Sequence, residues 1–443
     1  MTLRVAVIGS GPAAFFAADH LLRREGLEVT VDMLERLPAP YGLVRFGVAP
    51  DHQKIKSVIK GFARTAADPR FRFFGNVDVG RTVRLAELKR HYHAIVFATG
   101  AQTDRRLGIP GEDLIGSHAA TEFVAWYNGH PDFQQCTFDL SARHVAVVGV
   151  GNVAVDVARV LCRTREELAI TDITHAAQEA IVASGIEAVT MLGRRGLAEA
   201  AFTNPEVREL GELPGADIVV RAEEVADAPL REPERTIAKK LEILRAFATR
   251  TPQGRPRRLA IRFCVSPVEL VGDEAGHVRA LRLMKNRLVL QRGRIVAEPT
   301  GVVEAMPADL VFRSVGYHGV AIPDLPFDAA AGVVPNEAGR VLEAPGCYVA
   351  GWIKRGPSGV IGTNKSDALE TVERLLGDAA VLPAPADPDP MAACATLGAA
   401  CGQVMTWADW ERLDAAEIAA GAPQGRPRVK VTAIEEMLRG DGR

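Results

Sequence analysis

The 443-residue sequence has no Cys-x-x-Cys pair; its six cysteines, Cys136, Cys162, Cys264, Cys347, Cys394 and Cys401, are scattered along the chain. A redox-active dithiol, a zinc ribbon and an iron–sulfur cluster all lack the ligand spacing they need. No run of about 18 apolar residues occurs, so no transmembrane helix is expected. The net charge is only −2 at neutral pH, which argues against a general nucleic-acid binder. The first residues look superficially like a secretory signal, with Arg4 followed by apolar residues, but Gly9, Ser10, Gly11 and Pro12 interrupt the apolar stretch. A cytoplasmic location is expected.

What is present is the composition of a soluble globular enzyme, 47% hydrophobic and 24% charged, with 41 glycines that imply many tight turns. The length is too great for one hydrophobic core and suits two or three domains.

The stretch from Leu3 to Leu22, LRVAVIGSGPAAFFAADHLL, organises the rest. Val5, Val7 and Ile8 predict a short buried strand, and Pro12 opens an amphipathic helix after a glycine-rich turn. Gly9 permits the sharp turn, Gly11 leaves the backbone open to a pyrophosphate, and Ala14 lets helix and strand pack closely. The helix N-terminus then offers unpaired N–H groups to phosphate. A second strand, Val29 to Leu34, ends at Glu35, whose carboxylate suits a ribose 2′-OH and would repel a 2′-phosphate. The site is therefore expected to hold FAD or NAD and not NADP.

A Pro/Gly-rich loop follows from Leu37, and the pattern then predicts one helix over 54–67, a strand and turn over 71–79, a short helix over 85–90, and a buried strand over 93–101 ending in Thr-Gly. A second fingerprint comes after a polar connection. A strand from His144 leads into Gly149-Val150-Gly151-Asn152-Val153-Ala154 and a helix over 155–161. A charged helical insertion over 164–184 delays the next strand, 186–192, which ends in Gly193-Arg194-Arg195. Two guanidiniums in the place Glu35 occupies in the first unit favour a 2′-phosphate. The pair of fingerprints implies FAD in the first unit and NADPH in the second.

From Arg231 to Arg262 there are ten Lys/Arg against three Glu, a candidate landing face for an acidic partner. Strands are expected over 259–265, 278–287, 309–317 and 347–350. The glycines of Gly356 to Gly362 bring backbone close to something flat, with a helix starting at Ser366; this reads as cover for a flavin ring. The tail has a proline-rich linker and an amphipathic helix with Trp407, Trp410 and Leu413.

With both fingerprints, the Arg pair and GWIKRGPSGVIGTNK in view, the chain resembles NADPH:ferredoxin reductases of the adrenodoxin-reductase type. The likeness includes GLVRFGVAPDH at Gly42 to His52, GRRG at Gly193 to Gly196, and AFT..E..EL at Ala201 to Leu210. It implies an α/β fold of two Rossmann-like dinucleotide-binding domains, similar to glutathione reductase, with the NADP domain (103–320) inserted into a discontinuous FAD domain (1–102 and 321–443). It implies FAD contacts from Gly9, Ala13, Glu35, Leu43, Val79, Trp352, Gly359, Val360 and Ile361. It implies NADPH contacts from Arg105, Asn152, Val153, Ala154, Val155, Arg194, Arg195 and Glu206, with the nicotinamide near Gly359. His52 and Glu209 match polar residues beside the flavin and nicotinamide, and are the candidate catalytic pair. At position 13 an alanine stands where a relative uses a serine, so that contact is expected through backbone only.

The activity implied is hydride transfer from NADPH to FAD, followed by release of single electrons to a ferredoxin-type iron–sulfur protein. A disulfide reductase needs a dithiol that the sequence lacks, and an amidotransferase-type flavoprotein subunit needs cluster ligands that it also lacks. A flavin monooxygenase, another NADPH-driven flavin reductase and a non-catalytic FAD/NADP redox sensor remain as alternatives.

Overall fold

The structure, a computed structural model, describes residues 2–226 and 232–440, so Arg231 at the head of the basic segment lies outside the described residues. The chain divides into two compact units. One comprises residues 1–103, 128–131 and 316–443, the other residues 104–127 and 132–315.

In the first unit β1 (Leu3–Ile8), buried throughout, runs into α1 (Pro12–Leu22) and then β2 (Val29–Glu35). The helix expected over 54–67 is two pieces, Gln53–Lys56 and Ile59–Ala66. Between them Val58, Lys60 and Gly61 donate to carbonyls three residues back, a tighter winding that interrupts the α-helix. β3 (Phe71–Gly75) and β4 (Ala94–Phe97) complete the parallel core, in which β1 lies between β4 and β2. That reversal of strand order at β1 is where an open parallel sheet leaves a crevice beyond its carboxyl ends.

The second unit repeats the plan. β5 (His144–Val148) leads into α2 (Asn152–Cys162) and later β6 (Ala188–Leu192). The expected insertion over 164–184 is two short helices, Arg165–Ala169 and His175–Val182, each begun by a threonine whose hydroxyl accepts a backbone N–H of the first turn. After α3 (Asn204–Leu210) come β7 (Ala216–Val220), α4 (Arg235–Ala248) and β8 (Arg257–Arg262). The chain then builds an antiparallel sheet of β9 (Val265–Gly272), β10 (Val278–Gln291) and β11 (Arg294–Pro307). β11 was not expected from the sequence. β12 (Leu310–Arg313) returns to the parallel sheet beside β5, so that β5 lies between β12 and β6.

The first unit is completed by β13 (Cys347–Val349), which pairs with β4, by α5 (Thr363–Gly377) and by α6 (Trp407–Gly421). α5 begins three residues before the expected Ser366. The proline-rich tail is also more ordered than a linker, since Pro390–Cys401 is a helix begun by the Asp389 side chain. Trp410 and Leu413 of α6 enter the same hydrophobic cluster as Val5, Phe15 and Val31. Residues 128–131, placed by sequence with the NADP domain, fall in this unit because buried Asn128 accepts from Lys56 Nζ (3.4 Å) and Lys430 Nζ (3.3 Å).

Candidate functional site: two dinucleotide turns

The two turns are built alike. Gly9 N donates to Leu34 O (2.7 Å) and Gly149 N to Leu192 O (2.9 Å), pinning each turn to the second strand of its unit. Both glycines have positive φ, +100° and +137°. A Cβ on Gly9 would lie 2.7 Å from Ala98 O, and one on Gly149 2.2 Å from Ser314 O, so each must be glycine for backbone geometry and for its neighbour. Gly11 and Gly151 differ: their backbones are extended, and a Cβ there would meet nothing within 4 Å. The space a side chain would fill lies over the start of an 11-residue helix, the cradle that a pyrophosphate requires. The residues therefore fit a dinucleotide at each turn.

Around the first turn, Glu35 Oε2 accepts from Ser10 N (3.0 Å) and Ser10 Oγ (2.6 Å), and Oε1 from Leu37 N (3.0 Å). A carboxylate has about four acceptor positions, so roughly one stays available to a ribose hydroxyl. Ala14 is fully buried, and Ala13 lies against Gly351, where a Cβ would come within 2.6 Å of it. Ala13 is thus a packing residue as much as a backbone contact. Tyr41 has φ +86° and its N donates to Ser10 O (3.1 Å). Burial pushes its phenol up to about 12. Gly42 follows, a Cβ there lying 3.1 Å from Gly11 Cα, and it delivers exposed Leu43 at the head of a four-residue helix. Val79 lies in the turn after β3, where Val77 N is bound to Glu35 O. His52 is half-buried and precedes the Gln53–Lys56 helix, its carbonyl accepting from Ile55 N and Lys56 N.

The loop after β13 is held from within. Trp352 Nε1 donates to Ser358 O (3.1 Å), Arg355 Nη2 to Asn364 Oδ1 (2.9 Å), and Lys354 Nζ to Thr371 Oγ1 (3.1 Å). Gly359, at φ +80°, leaves no room for a Cβ beside Thr363 Oγ1. Gly359 and Val360 are exposed and Ile361 is half-buried, so the loop presents backbone outward at the start of α5.

In the second unit Ala154 and Val155 are fully buried, and Val153 packs against the core. Asn152 Oδ1 accepts from Thr203 N (2.9 Å), which fixes the start of α3. Arg194 and Arg195 stand exposed just beyond β6, as does Arg105 within the polar connection between the two fingerprints, and none of the three makes an ion pair among the described residues. Glu206 and Glu209, one turn apart on α3, are both drawn to Arg159 of α2, at 3.3 and 3.8 Å. That guanidinium is fully buried and also bonds Asp156 (2.7 Å). His52 belongs to the first unit and Glu209 to the second.

The basic segment is corrected by the structure. Lys240 is buried, donates to Ala200 O and sits 5.5 Å over the Phe202 ring, and burial pushes its ammonium pKa down. Arg245 donates to Val225 O, Arg250 to Gly211 O, Arg255 to Leu213 O and Arg257 to Leu161 O. Arg262 is buried between Glu224 and Glu304. Most of these charges tie loops to the sheet; Arg235, Lys239 and Arg258 are exposed.

Residues 3–195 match the model of the pyridine nucleotide-disulphide oxidoreductase family. The chain is 48% identical to NADPH-ferredoxin reductase FprA of Mycobacterium tuberculosis over 449 residues, covering 98% of each chain. It is 41% identical to human mitochondrial NADPH:adrenodoxin oxidoreductase, over 99% of this chain and 92% of the other. The chain belongs to the NADPH-ferredoxin reductase family. A solved structure of the M. tuberculosis FprA in complex with NADPH superposes with a TM-score of 0.94 at 47% identity, each chain covered in full. The α/β fold of two Rossmann-like units is thereby that of this family of oxidoreductases.

Several residues that hold the two turns and the loops around them carry no clear mark in the sequence. Ser10 orients Glu35, and the signal was available in its position between Gly9 and Gly11. Arg159 could have been found as a charged residue on the apolar face of α2. Asn286, which donates to Arg194 O, and Glu417, which binds Arg45, lie too far along the chain from their partners for any local pattern to reveal them.

Proposed function

We propose that the chain is a ferredoxin–NADP+ reductase, an NADPH:ferredoxin oxidoreductase that holds FAD at the first turn and NADPH at the second. The observation that carries this reading is the contrast between two otherwise matching turns: a carboxylate, Glu35, ends the second strand of one, and two unpaired arginines, Arg194 and Arg195, end that of the other. The first suits a free ribose and the second a 2′-phosphate. FAD, when bound, supplies the step between a two-electron donor and one-electron acceptors.

The chain's own residues bind and align. Gly9, Gly11, Ala13, Ala14, Glu35, Leu43, Val79, Trp352, Gly359, Val360 and Ile361 hold FAD. Gly149, Gly151, Asn152, Val153, Ala154, Val155, Arg105, Arg194, Arg195 and Glu206 hold NADPH. His52 and Glu209 orient the reacting rings, and alignment is the main service a protein performs for hydride transfer. The acceptor is a ferredoxin-type iron–sulfur protein. Of the basic segment, Arg235 and Lys239 are the members fit to meet it. Both are exposed, Lys239 being paired at 2.7 Å with likewise exposed Glu242, on the half of α4 where Asn204 Nδ2 binds Thr236 O (3.0 Å) and Lys240 binds Ala200 O, beside the segment that runs from the two arginines into α3. None of the six cysteines is in a disulfide, in keeping with a cytoplasmic location, and no helix of the described residues is long and apolar enough to cross a membrane.

The test is NADPH-driven cytochrome c reduction by the purified protein with and without an added ferredoxin. Strong stimulation by ferredoxin is expected. NADPH reducing the flavin with no stimulation would refute the acceptor assignment and favour an oxygen-using or other flavin reductase.

A further inference from the structure

The Gly193–Gly196 loop is clamped from two sides. A Cβ on Gly193 would lie 3.2 Å from Val150 Cγ1 of the nucleotide turn, and one on Gly196 2.8 Å from Leu288 Cδ1 of β10. Three successive carbonyls of the loop are then held by the antiparallel sheet. Gly193 O accepts from Val265 N (3.0 Å) and Arg195 O from Cys264 N (3.1 Å), both backbone donors. The middle carbonyl, Arg194 O, is bound by a side chain, Asn286 Nδ2, at 3.0 Å.

Asn286 is itself placed with care. It follows a register shift in β10 after Met284, its N donates to Cys264 O at 2.7 Å, and its Nδ2 also lies 2.8 Å from Ser266 Oγ. Cys264 meets these bonds with φ +53°, a left-handed conformation costly for a side chain of this kind and tolerated where surroundings fix it.

We infer that Asn286 is a positioning residue for NADP selectivity, fixing the Arg194–Arg195 peptide so that both guanidiniums are set for a 2′-phosphate before it arrives. This rests on the reading of Arg194 and Arg195 as the 2′-phosphate site. Two long side chains lose much freedom on engaging an anion, and a backbone already held reduces what must be ordered on binding. Without the Asn286 amide the Arg194 carbonyl bonds to water and the peptide between the arginines gains freedom. A nucleotide without the 2′-phosphate does not call on that loop and is indifferent to the change.

The experiment is calorimetric binding of 2′,5′-ADP and of 5′-ADP to the FAD-loaded protein, its Asn286→Ala and Asn286→Asp variants, and Arg194→Ala/Arg195→Ala. Asn286→Ala is expected to weaken 2′,5′-ADP about fivefold, the size of one ordinary hydrogen bond, and to leave 5′-ADP within about twofold. Asn286→Asp keeps the volume but turns a carboxylate toward the Arg194 carbonyl, and is expected to weaken 2′,5′-ADP at least as much. In the double-arginine background Asn286→Ala should change nothing further. Equal weakening of both ligands, or none, in both Asn286 variants overturns the inference while leaving the arginine reading intact. Unchanged 2′,5′-ADP affinity in Arg194→Ala/Arg195→Ala overturns the arginine reading, and the inference with it.

Discussion

Removing the Glu417 carboxylate should unlatch the loop that carries Leu43 and His52. Arg45 of the GLVRF stretch is 5% exposed, and its guanidinium forks onto Glu417 of α6, with Nη1 to Oε2 at 2.8 Å, while lying 5.2 Å from the centres of the Phe46 and Trp410 rings. Glu417 is fully buried at its side chain and also accepts from Val431 N (2.8 Å) and Arg428 Nη1 (3.2 Å). Glu417→Ala leaves a buried guanidinium short of its counter-charge, a change that costs about 3–5 kcal/mol. The paired replacement Arg45→Met/Glu417→Leu removes the Arg45 charge with its partner and should recover part of that loss; Arg428 keeps Asp414 but Val431 N loses its acceptor, so recovery is incomplete. Urea unfolding followed by tryptophan fluorescence reports both, since Trp410 sits in the affected contact. The acid limb should change as well. Burial pushes the Glu417 carboxyl up, but Arg45 and then Arg428 outweigh it and hold the pKa below the ordinary value. Its contribution is therefore complete above the usual glutamate range and disappears as pH falls through the lowered pKa, below about pH 4. Glu417→Gln should flatten that limb. A loss under about 1 kcal/mol in Glu417→Ala, the size of an exposed pair, would refute the latch.

Gly9→Ala, with its Cβ forced to 2.7 Å from Ala98 O at positive φ, should impair folding itself, seen as a lower melting temperature with or without FAD. Gly11→Ala meets no protein atom and should leave the melting temperature of the FAD-free protein unchanged while FAD retention on gel filtration falls. Arg194→Ala/Arg195→Ala should raise KM for NADPH at least tenfold, from the loss of two charge-assisted contacts, and that for NADH little; equal effects would show that the pair does not read the 2′-phosphate. Arg235→Ala/Lys239→Ala should slow ferredoxin reduction, most clearly at low salt, and spare ferricyanide. Lys240→Ala should instead lower thermal stability by about 1–3 kcal/mol through the orphaned Ala200 carbonyl and lost packing.

What was legible in the sequence is what local physics decides. β1, the turn and α1 are a buried apolar run, glycines where the backbone needs them and a proline at the first helical position, and the second unit repeats the code. Long-range pairing was not legible. The β10–β11 hairpin closes through Arg292 and Gly293, both at positive φ, a two-residue turn usually marked by Asn-Gly; with arginine in the first place and Pro299 and Gly301 inside β11, the strand pattern was obscured. The basic segment was misread for a different reason. Charge summed along the chain takes no account of helical facing, and Lys239 and Lys240 face differently on α4. Lys240 shares the stripe of Leu244 and Phe247, four and seven residues on, and is buried with them. Its helical position held the information that its charge concealed.

The residue between the paired glycines links these levels. In the first turn it is Ser10, whose hydroxyl and backbone N–H both bind Glu35, so the turn and the carboxylate proposed to exclude a 2′-phosphate are set together. In the second it is Val150, which has no hydrogen bond to offer from its side chain and packs against Gly193. Its carbonyl takes Ala201 N and Phe202 N, closing the strand end that bears the two arginines against the approach to α3. A serine at 150 would face Gly193 at the strand end and no carboxylate there, and a valine at 10 would keep the backbone donor to Glu35 but lose the hydroxyl, leaving the carboxylate a freer rotamer. On the proposed reading, nucleotide preference in each unit depends on a turn residue and a strand-end residue acting as a pair. That is a stronger mark of two distinct cofactor sites than either glycine fingerprint alone.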